Sequence, residues 1–153
     1  MVITAPGFQP GVCHQPVSLI DLFSTLNDLA GLPVSRSYDG VSLAPLMRQP
    51  DARWDRPAVT EFQSGNAAVR SKHYRYIRYR DGGEELYDHR VDPNEWENLI
   101  DQPESRAIVD RLSPWIAQDW APPSPTKSAF DFDPESFTWI NRTTGKVTRG
   151  TEP

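Results

Sequence analysis

Between residues 58 and 88, strand-forming runs alternate with turn residues so quickly that the chain must fold back and forth on itself. "AVTEF" at 58–62 is rich in β-branched and aromatic residues, as strands are. "AAVRSKHYRYIRY" at 67–79 is too long for one ordinary strand, which makes it a hairpin bent at Ser71-Lys72-His73. "EELYD" then pairs back across Asp81-Gly82-Gly83, where glycine supplies the positive φ of a tight turn. Three or four short antiparallel strands in chain order are predicted.

The clearest helix lies upstream. In "SLIDLFSTLNDLAGLP", Leu19, Leu22, Phe23, Leu26, Leu29 and Ala30 recur at helical spacing, Ser18 and Asp21 stand at capping distance, and Gly31 and Pro33 end the run. The pattern predicts an amphipathic helix with its apolar stripe in a core. "MVITAPG" predicts a short strand stopped by Pro6-Gly7, and "YDGVSLAPLMRQP" an Asp-Gly turn and one or two helical turns from Ser42. Asp101 and Glu104 read as the capping pair of a second helix, with Pro103 in its first turn and Ile108, Leu112, Trp115 and Ile116 on its apolar face. Residues 121–153 form a proline-rich tail whose Phe130, Phe132, Phe137 and Trp139 are too many aromatics for a disordered segment; it is expected to wrap over a surface and dock by them.

Composition narrows the function. The chain has 153 residues, one domain or a substantial piece of one, and its 15 prolines imply long connections. A net charge of -5 gives no basic face for nucleic acid, and the cluster from Arg70 to Arg80, interleaved with tyrosines, reads as the solvated side of a strand. No apolar run is long enough to span a bilayer, and "VITAPGFQPG" after Met1 is not an export signal. A single cysteine, Cys13, excludes an internal disulfide and leaves the compartment unreadable. Asn141-Arg142-Thr143 fits a glycosylation sequon and is read as a turn.

The residues of catalysis are scarce. Cys13 and His14 are adjacent, so in an extended loop their side chains point apart and His14 is poorly placed to activate the thiol. His14, His73 and His89 lack metal-ligand spacing, and His89 is expected to bond a neighbouring acid. "YDHRVDPNEWE" is acidic but lacks the alternating ligands and central glycine of a calcium loop. No phosphate-cradling glycine loop, G-x-S-x-G elbow or H-E-x-x-H pair occurs.

Four segments in order, "VSLIDLFSTLNDLAGLP", "YDGVSLAPLM", "AVRSKHYRYIRY" and "EELYDHRVDPNEWENL", resemble the C-terminal region of type I sulfatases across roughly residues 1–117. The likeness is to the iduronate-2-sulfatase-like and choline-sulfatase-like members of the alkaline phosphatase superfamily. It implies an α+β or α/β fragment: residues 1–57 as a remnant of the main α/β domain with one edge strand and helix, 58–120 as a small antiparallel sheet covered by a C-terminal helix, and 121–153 as the tail. It implies that Asp92-Pro93 starts a turn, that Trp96 and Leu99 plug the sheet face, and that the acids around them lie outside. Complete enzymes of this family use a formylglycine made from the cysteine of a Cys-x-Pro-x-Arg motif and a calcium ion. Here Gln15 and Val17 stand where that motif has proline and arginine, so Cys13 is not the nucleophile. No catalytic or metal residue carries over, and the implied partner is a missing N-terminal sulfatase half acting on a sulfated carbohydrate or small sulfate ester. In the family, the loop Gln63-Ser64-Gly65-Asn66 lies towards the active-site mouth. Gln63, Asn66 and Arg70 are therefore the candidate substrate contacts, against an ordinary polar turn and an Arg70 paired with an acid. A stand-alone interaction module that has lost the chemistry is the other expectation.

Overall fold

The meander forms where its turn residues place it. In a computed structural model, which describes residues 1–33, 35, 37–120 and 130–149, β1 (Ala58–Glu61), β2 (Ala67–Arg70), β3 (Tyr74–Arg78) and β4 (Glu84–Asp88) pair antiparallel in chain order. At the predicted bend, the Ser71 N–H donates to the Tyr74 carbonyl at 2.9 Å. Across the next turn the Tyr79 N–H donates to the Gly83 carbonyl at 2.8 Å, and Gly82 holds φ +92°, which a Cβ disfavours.

Alternation then sorts the side chains. Val69, Tyr76 and Leu86 lie opposite one another in register, so all three project from one face. That face meets Val109 and Leu112 from α3 (Ser105–Leu112) and Ile116, which follows the 3-10 turn Ser113–Trp115. Burial of each such side chain stabilises by about 1.5–3 kcal/mol, so this two-layer contact is the main core of residues 58–120.

Three local expectations here are corrected. α3 starts at Ser105, not Asp101, because Asp101–Glu104 are held in turns by bonds from the Gln102 N–H to the Leu99 carbonyl and from the Ser105 N–H to the Gln102 carbonyl. Trp115 sits on the 3-10 turn half out of the core, and Val109 occupies the buried position instead. Leu99 does pack on the core, but Trp96 is 85% exposed and plugs nothing. Of the acids, Glu97 is exposed and Glu95 lies half-buried against the outer face of the sheet with two cationic partners.

Upstream, α1 (Asp21–Leu29) and α2 (Ala44–Arg48) form where the periodicity and Ser42 predict, but α1 is turned inside out. Ser24 and Thr25 are 0% and 1% exposed, while Phe23 and Leu26 are 58% and 64% exposed. None of the six apolar residues of the predicted stripe is buried. The polar side is inward because it holds the loop before α2. Asp21 Oδ1 accepts the Val41 N–H at 3.0 Å, Thr25 Oγ1 accepts the Leu43 N–H at 2.9 Å, and Ser24 Oγ donates to the Gly40 carbonyl at 2.7 Å. Gly40 is required here, since a Cβ would lie 2.0 Å from the Ile20 carbonyl oxygen. Ser18 does not cap α1 by its hydroxyl; its N–H donates to Asp21 Oδ2 at 2.9 Å, the reciprocal half of a capping box. "MVITAPG" is not a strand, for no segment among the described residues pairs with it.

Residues 121–153 form a second compact unit. Within it β5 (Phe130–Asp133), β6 (Thr138–Asn141) and β7 (Val147–Arg149) make a three-stranded antiparallel sheet that the aromatic content does not predict as strands. Phe132 packs across the ladder on Trp139, ring centroids 4.5 Å apart. The sequon residue Asn141 makes the expected turn, its Oδ1 accepting the N–H groups of Thr143 and Thr144 at 2.9 Å. Much of the predicted wrapping segment, residues 121–129, lies outside the described residues.

Candidate functional site

β2 carries the three predicted contact residues at its two ends, with Gln63 and Asn66 before it and Arg70 as its last residue. Four residues of strand separate Asn66 from Arg70 by about 13 Å, so one small group does not touch both. In the β1–β2 loop the Asn66 amide is already engaged. Its Nδ2 donates to the Phe62 carbonyl at 3.0 Å and its Oδ1 accepts the Arg80 N–H at 3.2 Å. Gly65 holds φ +94° with Arg80 Cγ 2.9 Å from where a Cβ would stand, so the loop is tightly fitted. Gln63 is different: it has φ +54°, is exposed, and its side chain makes no hydrogen bond among the described residues.

Arg70 is half-buried at the β2–β3 bend. Its Nη1 donates to the Ser71 carbonyl at 2.7 Å and the Tyr74 carbonyl at 3.3 Å, and it forms no ion pair among the described residues. Burial lowers its pKa, Glu95 opposes the shift and neighbouring Arg75 adds to it. The acid partner expected for Arg70 is taken by other residues. Glu95 accepts from Arg75 Nη1 at 2.8 Å with one oxygen, and its other oxygen is 2.6 Å from His89 Nε2. Burial pushes the Glu95 carboxyl up, but the bonds from Arg75 and His89 outweigh it and hold the group below its ordinary range. Glu95 also has φ +59°, a left-handed conformation unusual outside glycine, so its carboxylate is fixed by the backbone as well as by its partners.

This cluster extends along the outer face of the sheet. Glu85 accepts from Tyr79 OH at 3.1 Å and Tyr87 OH at 3.0 Å. Burial and then the bond to Glu85 push the Tyr87 phenol up to about 12, which keeps it a proton donor at neutral pH. The expectation that His89 bonds an acid gave half of the triad. Arg75 was missed because its partner is 20 residues away, beyond any local spacing rule.

The chain's chemical means remain few. Cys13 is exposed on the extended segment before α1. It lines a cavity of about 640 Å³ with Phe8, Val12, Leu46 and Met47, and no acidic or basic side chain borders that space. No group of three His, Cys, Asp or Glu that could hold a metal occurs among the described residues. The family's formylglycine and calcium therefore do not fit the residues described.

Known proteins give the same picture from outside. The family described as "N-sulphoglucosamine sulphohydrolase, C-terminal" matches residues 1–120. A protein named "Sulfatase" from Formosa agariphila is 40% identical over 97 residues, 63% of this chain and 19% of its own length. The "Delta 4,5-hexuronate-2-O-sulfatase" of Bacteroides thetaiotaomicron is 38% identical over 107 residues, 60% of this chain and 22% of its own. The solved phosphonate monoester hydrolase of Silicibacter pomeroyi shares the fold over 72% of this chain and 26% of its own, with a TM-score of 0.55 at 24% identity. The chain thus spans about a fifth of the length of the curated relatives it matches. With segment order, sheet topology and family match in agreement, the chain belongs to the sulfatase family as a C-terminal sulfatase domain.

Proposed function

We propose that this chain is the C-terminal portion of a sulfuric ester hydrolase and has no hydrolytic activity by itself. The observation that carries this reading is α1, whose apolar stripe is exposed while its polar side is buried. An amphipathic helix in that orientation has its apolar partner elsewhere. Residues 1–57 are then the remnant of a main α/β domain, which would supply the formylglycine, the calcium ion and the stripe's cover. The substrate of the complete enzyme is a sulfated carbohydrate or small sulfate ester, the class named by the relatives. Gln63 is the best placed of the three contact residues to reach it, since its amide is unengaged and suits a neutral hydrogen bond to a sugar hydroxyl. Asn66 acts through loop closure.

The alternative is a stand-alone, non-catalytic module, favoured by the second unit's aromatic cluster of Phe132, Phe137 and Trp139, all partly exposed. The purified chain, given calcium and a formylglycine-generating enzyme, should not hydrolyse an aryl sulfate, because no metal-activated nucleophile can assemble on it. Turnover lost on Cys13→Ser would overturn the reading.

A further inference from the structure

Arg70 and Arg75 stand directly opposite one another in the β2–β3 ladder, so both side chains rise from the face of the sheet turned away from α3. Like charges in that relation repel, and an anion between them removes the penalty. Among the described residues one carboxylate is placed there, and it gives Arg70 no hydrogen bond: Glu95 divides its two oxygens between Arg75 and His89 and reaches Arg70 by its charge alone. Its left-handed backbone holds it there. Arg70 donates only through Nη1, to two carbonyls, and its Nε and Nη2 have no acceptor among the described residues. The acid that the described strands add to this face, Glu85, lies opposite Ile77 and holds the hydroxyls of Tyr79 and Tyr87. A half-buried guanidinium is thus left beside a second cation with an open donor edge.

We propose that the Arg70–Arg75 edge is a recognition site for an oxyanion, a sulfate or carboxylate group of an acidic ligand. Guanidinium donors are planar and suit such groups two bonds at a time. The carboxylate and imidazole at this edge, Glu95 and His89, are bonded to each other and to Arg75, so the role assigned to the site is binding and not hydrolysis. It uses only residues of this sheet and does not depend on the chain's being part of a larger enzyme.

The test is an NMR titration of the full chain, following the arginine Nε–Hε signals at constant ionic strength with sodium sulfate, sodium acetate or sodium chloride. Saturable shifts of Arg70 and Arg75 with a millimolar midpoint are expected, and absent with chloride. Saturation by sulfate alone assigns the site to sulfate groups, and saturation by acetate alone to carboxylates. Arg75→Gln leaves the Arg70 bonds to the bend untouched and should weaken binding about tenfold. Arg106→Gln, whose ion pair with Asp110 lies on the exposed side of α3, should leave it unchanged. Shifts that do not saturate, that chloride reproduces, or that survive Arg75→Gln would overturn the proposal.

Discussion

Ser24 donates its hydroxyl to the Gly40 carbonyl at 2.7 Å, and this bond faces α1 the opposite way from its hydrophobic pattern. Predicted from it is a pair of opposite outcomes. Ser24→Ala leaves a buried carbonyl without a partner and should cost about 1–3 kcal/mol in urea unfolding of the chain. Phe23→Ser and Leu26→Ser remove exposed side chains and should stay within about 0.5 kcal/mol. A large loss from the latter two in the chain alone would mean that the stripe is already covered.

The two halves of residues 1–120 should differ in hydrogen exchange. Residues 58–117 have a sheet, a covering helix and fully buried Val69, Tyr76 and Leu86, whereas residues 1–50 have only a partial core of Leu43, Ala44 and Leu46 beside the hydrogen bonds between α1 and the loop it clamps. Amides of β2, β3 and β4 should exchange slowest and those of 1–50 much faster. Leu86→Ala should destabilise by about 2–5 kcal/mol and Trp96→Ala by less than about 0.5 kcal/mol. Equal protection of both regions would count against the division at residue 57.

Acid should destabilise the sheet in a defined direction. Glu95 is held below its ordinary value of 4.5, and Asp88 below 3.8 by the side-chain bond from Arg90. Both therefore bind protons more readily in the unfolded chain, so their contribution is complete above the unfolded values and disappears as pH falls through the folded ones. Melting temperature should drop between roughly pH 5 and 3, and less steeply in Glu95→Gln. An unchanged slope in that variant would remove Glu95 from the acid transition.

The β1–β2 loop separates its two amides by function. Asn66→Ala should lower stability, because it opens the bonds to Phe62 and Arg80, whereas Gln63→Ala should not. In a reconstituted full-length enzyme, Gln63→Ala should raise KM by about an order of magnitude with kcat nearly unchanged, the mark of lost uniform binding. Unaltered kinetics would make Gln63 a turn residue only.

How far the sequence revealed this depends on the range of each interaction. Turn chemistry is local, so Ser71-Lys72-His73 and Asp81-Gly82-Gly83 placed three strands correctly. Periodicity found α1 but assumed that its apolar side faced this chain's own core, and nothing local announces that Ser24 and Thr25 bond a loop 16 and 18 residues away. At Trp96 it was the resemblance that misled, because it implies a plug of the sheet face where the turn leaves the side chain 85% exposed. At the outer face, His89 was legible as an acid's neighbour. Its sharing of Glu95 with Arg75, and the resulting open edge of Arg70, depend on strand register and on one left-handed residue.

The most direct measurement replaces the C-terminal stretch of the Bacteroides thetaiotaomicron hexuronate-2-O-sulfatase that this chain matches with residues 1–120, and follows sulfate release from that enzyme's own substrate. The truncated relative and this chain should each be inactive alone, the chimera should turn over, and Phe23→Ser with Leu26→Ser should abolish its assembly. Sulfate release by this chain alone, or a soluble chimera with an intact catalytic part that releases none, would contradict its place as a sulfatase C-terminal domain completed by a separate catalytic part.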